Sequence, residues 1–137
     1  MTNEKEDHSV NPWPDLVMAM LSVNNYPLTK VIALFDALEA NGLFDPRNLA
    51  CWNREKIART LAGAGYDRGA VMTAMFTDRL SSLGGLTEEL AANEHILTQG
   101  TKMEIGELLR CVKGIGPKVL KNFFLLRANK PSRKHSQ

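Results

Sequence analysis

Lys113, Lys118 and Lys121 stand around two glycines and a proline in the run Cys111-Val112-Lys113-Gly114-Ile115-Gly116-Pro117-Lys118-Val119-Leu120 and the residue that follows it. Glycine has no Cβ, so Gly114 and Gly116 are expected to take positive φ and to let the backbone approach a neighbour closely. Pro117 suits the first position of a helix, where its missing N–H costs nothing. A turn that runs into a helix start presents unpaired N–H groups, and the helix macrodipole strengthens their pull on anions. With ammonium groups on either side, such a turn binds phosphate through charge and reads no base. The same residues also fit a plain corner between two helices, in which the glycines serve only the turn.

The elements that must hold this turn are legible on both sides. Before it, Thr101-Lys102-Met103-Glu104 has the form of a capping box, in which hydroxyl and carboxylate each satisfy a free amide at a helix start. Ile105, Leu108, Leu109 and Val112 then make an apolar stripe to the expected helix end at Val112. After the turn, Pro117 opens a helix to about Ala128 that carries Val119, Leu120, Phe123, Phe124 and Leu126. Upstream, helices are expected from Pro12 and Pro14 to Ser22, from Leu28 to Ala40, and from Pro46 through Ala50. A further helix is capped by Asn53 and carries Ile57 and Leu61. Asp67 is expected to cap the next, with Val71, Met72, Met75, Phe76 and Leu80 inside, and Thr87 starts another. Six or seven helices with short loops and no convincing strand predict an all-α domain.

Charge is distributed unevenly. Residues 1–100 carry 8 Lys/Arg against 13 Asp/Glu, a balance of −5, whereas residues 101–137 carry 9 against 2, a balance of +7. No carboxylate follows Glu107. Such asymmetry points to an anionic polymer or surface as partner, or else to a solvated basic face.

Three stretches carry a family resemblance. Leu109 to Lys118 resembles the helix-hairpin-helix of the endonuclease III family of DNA glycosylases. Leu21-Ser22-Val23-Asn24 resembles that family's Leu-Ser-x-Gln, and Tyr66 to Ala70 (YDRGA) resembles the start of its central helix. The resemblance covers about residues 12–128, between a disordered N-terminal segment (1–11) and a basic C-terminal tail (129–137). It implies a six-helix barrel-like domain that binds damaged or abasic double-stranded DNA. It also implies that Lys118 is the nucleophile forming a Schiff base at the sugar, its pKa lowered by burial and by Lys113 and Lys121. Asn24, with Asn25 and Tyr26 beside it, would enter the gap left by an extruded base. Lys113, Gly114, Ile115, Gly116 and Lys121 would hold the phosphate backbone.

The sequence departs from the family in two respects. The aspartate that the family places beyond the lysine has no counterpart, since the chain from Ala128 to Gln137 holds no acid. The four-cysteine iron–sulfur cluster is also missing. These departures imply a shortened relative, or a domain whose second lobe comes from a partner chain. Asp15, Asp67 and Asp78 are the upstream carboxylates that would have to replace the aspartate. Without one of them, the hairpin serves as a non-catalytic DNA-binding module or accessory subunit.

The remaining residues narrow the class. Cys51 and Cys111 read as two reduced, buried thiols, and His8, His95 and His135 are too scattered for a metal site, so no metal or cofactor is expected. Met18, Met20, Met72, Met75 and Met103 read as core fillers, and Trp13 and Trp52 as core anchors. No stretch approaches the roughly 20 apolar residues that span a bilayer, so no membrane partner is expected. The polar opening MTNEKEDHSV lacks the apolar core of a secretory leader, and a cytoplasmic protein is expected.

Overall fold

The computed structural model describes residues 11–23 and 26–135, with side chains as far as Ala128. Among these residues the chain forms ten α-helices and no strand. They are α1 (Trp13–Leu21), α2 (Leu28–Ala33), α3 (Phe35–Ala40), α4 (Pro46–Cys51), α5 (Arg54–Gly63), α6 (Gly69–Gly85), α7 (Thr87–Ala92), α8 (Glu94–Gln99), α9 (Lys102–Leu109) and α10 (Pro117–His135). No helix of the described residues is long and apolar enough to cross a membrane.

Eight of the nine residues of α1 are buried, which makes it the central helix. α10 packs along it, and α6 packs on α4 and α5. Leu16, Met20 and Leu21 of α1 meet Ile57 and Leu61 of α5, Phe76, Leu80 and Leu83 of α6, and Phe123 of α10 in one core. The approach of α6 to α4 depends on Gly84, where a Cβ would collide with the Leu49 carbonyl. Trp13 is buried and its Nε1 donates to Glu94 Oε2 at 2.9 Å, whereas Trp52 is only half-buried beneath Lys56.

Local chemistry sets several helix starts. Asn53 Oδ1 accepts the Lys56 amide at 2.8 Å, and Thr101 and Glu104 exchange both bonds of the capping box. Other starts and ends differ from expectation. The helix expected over 28–40 is broken at Leu34, which has φ −94° and ψ 6°. α9 ends at Leu109 rather than Val112, and the α10 backbone continues past Ala128 to His135. Asp67 accepts the Gly69 amide at 3.2 Å, so it shapes the loop before α6 while Arg68 holds the cap position. Val71 is 82% exposed, because full burial on α6 begins only at Phe76. Met103 of α9 is exposed, unlike Met18 and Met20 in the core. Cys51 and Cys111 are also exposed: Cys51 is the last residue of α4, and Cys111 lies in the turn that follows α9.

Candidate functional site

The three stretches singled out in the sequence come together in space. Ser22 and Val23, which follow α1, are held by side chains from two distant parts of the chain. Tyr66 Oη donates to the Leu21 carbonyl at 2.6 Å, and Arg68 Nη1 donates to the Val23 carbonyl at 2.7 Å. From α10, Asn122 Nδ2 donates to Ser22 Oγ at 2.8 Å and to the Ser22 carbonyl at 3.2 Å. Tyr66 is fully buried, and that burial pushes its phenol up to about 12, with Arg68 opposing. Its ring stands edge-on to Tyr26 and to Phe76, at 5.0 and 5.8 Å between centroids.

The turn before α10 is fastened to α6. The Lys113 amide donates to Ser82 Oγ at 3.2 Å, and Lys113 Nζ reaches Asp78 Oδ2 at 2.5 Å. Arg54 binds the other oxygen of Asp78 at 2.6 Å. The Lys113 ammonium, hydrogen-bonded to Asp78, holds that carboxyl below its usual range, and Arg54 adds to the effect. Gly114 takes φ +90° directly over the Arg79 side chain, where a Cβ would overlap the arginine stem. Arg79 itself lies over Phe76, with 5.5 Å from guanidinium to ring centroid. The turn therefore rests on the same aromatic cluster that holds residues 21–23.

One expectation about this turn is corrected. Gly116 is not in the left-handed region, and a Cβ there would meet open space. It is Gly114, pressed on Arg79, that requires glycine. Lys113 is not a free cation, because Asp78 from α6 has claimed it.

Pro117 begins α10 as expected, and the first helical bond runs from the Leu120 amide to the Gly116 carbonyl at 3.0 Å. The amides of Lys118 and Val119 precede that bond, as at any helix start. Lys118 and Lys121, three residues apart, share one face of the helix. Both are exposed, and neither pairs with a carboxylate among the described residues. Lys118 thus lacks the burial expected of it. Ile115 is half-buried against the core. Asn24 and Asn25 lie outside the described residues.

No family model matches the chain, and neither a curated protein nor a solved structure matches it.

The upstream carboxylates are all engaged. Asp15 is fully buried and pairs with Arg127 of α10 at 3.1 Å, Asp67 holds the Gly69 amide, and Asp78 holds Lys113 and Arg54. Only Asp78 touches the turn. No group of His, Cys, Asp and Glu among the described residues is arranged to hold a metal ion. A depression of about 630 Å³ lies beside Trp13, Phe44 and Thr87 and contains none of these residues. Of the charged groups that line it, Asp45 and Arg47 are paired with each other.

Sequence reasoning missed Arg68, Arg79 and Asn122. Asn122 had a visible signal, since a polar residue one turn after Val119 interrupts an apolar stripe and asks for a partner. Nothing in the sequence marks the stacking of Arg79 between Phe76 and Gly114.

Proposed function

We propose that the chain binds double-stranded DNA, damaged or abasic, through residues 114–121, as a helix-hairpin-helix module of the endonuclease III type. The helices gathered on α1 are the barrel-like body in this reading. The observation that carries it is the exposed start of α10, where Lys118 and Lys121 face solvent unpaired beside Gly116. A phosphate can approach Gly116 without meeting a side chain and finds the helix-start amides and two ammonium groups there. Lys113, Asp78, Ser82 and Arg79 supply rigidity to the turn rather than contact with DNA. Binding of this kind is independent of sequence and sensitive to salt.

A second reading, abasic-site cleavage, is favoured by the surface amine of Lys118, which pairs with no carboxylate among the described residues. An abasic sugar opens to an aldehyde; the amine adds to C1′ and water leaves, forming an imine. Loss of a C2′ proton then expels the 3′ phosphate and cuts the strand. Release of an intact damaged base is not expected, because Asp15, Asp67 and Asp78 are each held by other groups.

Borohydride trapping with an abasic duplex separates the two readings. A covalent adduct in the wild type that disappears in Lys118→Gln establishes cleavage chemistry. Binding of that duplex with no adduct leaves the DNA-binding module alone. Absence of both removes the DNA reading altogether.

A further inference from the structure

The exposed large apolar side chains among the described residues are Ile32, Val71, Met103 and Leu125. Two of them, Met103 and Leu125, border a depression along α9 and α10 that has two adjoining parts. Its main part, about 490 Å³, has Leu120, Phe124, Leu125 and Ala128 as apolar wall. It shares Lys102, Pro117 and Leu120 with a second part of about 280 Å³ that reaches Met103 and Gly106. Cations form the rim. Lys102 Nζ stands 5.4 Å from the Phe124 ring centroid, and Lys121 lies on the opposite helix. Neither makes an ion pair among the described residues. The nearby acids are used locally: Glu107 pairs with Arg110 at 3.2 Å, and Glu104 accepts the Thr101 amide.

We propose that this groove receives an acidic amphipathic helix from another protein. An apolar floor between two helices accepts a third helix through side chains spaced at i, i+3/i+4 and i+7. The positive rim selects carboxylates at the flanks of that stripe. A second copy seated through the same face would set Lys102 and Lys121 against their own counterparts, which charge disfavours. A duplex has no apolar side chains to fill the floor. A bilayer surface meets a concave floor poorly, since Leu120 and Phe124 are half-buried rather than protruding. Lys121 also belongs to the proposed phosphate contact, so Lys102 is the rim residue that tests the groove by itself.

The probe is a labelled synthetic helix with leucines at i, i+3, i+4 and i+7 and glutamates beside them. A twin peptide carries lysine at every glutamate. Fluorescence anisotropy with the full chain at low salt should show the glutamate peptide binding at least about tenfold more tightly than its twin. Leu125→Asp should weaken it by about tenfold or more, as loss of an apolar anchor does. Lys102→Glu should remove the preference between the peptides. Circular dichroism confirms that the variants are folded, and Met103→Asp replaces Leu125→Asp if the latter is not. Failure of the glutamate peptide to bind, equal binding of both peptides, or indifference to Leu125→Asp overturns the proposal. Binding to phosphatidylserine vesicles without binding to the peptide overturns it also, in favour of a membrane surface.

Discussion

Gly114 and Gly116 have the same side chain, two residues apart, and do different work. Gly114 needs a left-handed backbone over Arg79, so Gly114→Ala should cost about 1–2 kcal/mol in chemical denaturation from conformation alone. Gly116 has ordinary φ and open space, so Gly116→Val should leave the melting temperature nearly unchanged. It should nonetheless reduce duplex affinity, because the new side chain stands where phosphate approaches. Equal melting losses in both variants would show that Gly116 also serves the turn. Tyr66 gives a pH-dependent prediction. Its phenol titrates at about 12 in the folded chain, against roughly 10 when unfolded. The folded state therefore binds the proton more tightly, and this contribution is complete below pH 10 and lost as pH rises toward 12. The stability difference between wild type and Tyr66→Phe should be flat below pH 9 and shrink above pH 10. A difference that stays constant to pH 11.5 would contradict the buried phenol.

At the scale of elements, the contact between α6 and α4 depends on a backbone approach with no room for a methyl group. Gly84→Ala should destabilise the chain by about 1–3 kcal/mol, measured by urea unfolding, because neither the Leu49 carbonyl nor the helix can move aside cheaply. No change would mean that the two helices slide apart freely. The packing role of Gly84 is not legible in the sequence, because it requires knowing which helix lies opposite. What the sequence did reveal were the features decided within a few residues: the caps at Asn53 and Thr101, the start at Pro117, and the all-α class. The break at Leu34 carries no Gly or Pro and is invisible locally. The link from Asn122 to Ser22 spans a hundred residues, beyond the reach of any spacing argument. The hairpin lysines were recognised as a group, yet their division into a paired Lys113 and free Lys118 and Lys121 depends on Asp78, which only the tertiary fold brings near.

For the molecule as a whole, the excess of positive charge after residue 100 gathers on the turn and α10, and the acidic excess lies before it. Lys118 and Lys121 are the members of that group at the helix start that make no ion pair among the described residues, so they carry the central claim. It is tested most directly by fluorescence anisotropy of a labelled abasic duplex, with the dissociation constant measured from low to moderate potassium chloride. The wild type should weaken linearly on logarithmic axes as salt rises. Lys118→Glu combined with Lys121→Glu should lose most of the affinity and about two units of slope, one for each phosphate contact, with unchanged circular dichroism. An affinity and salt slope that the double substitution leaves intact, or a wild type that binds no duplex at low salt, would contradict the assignment of this face to DNA.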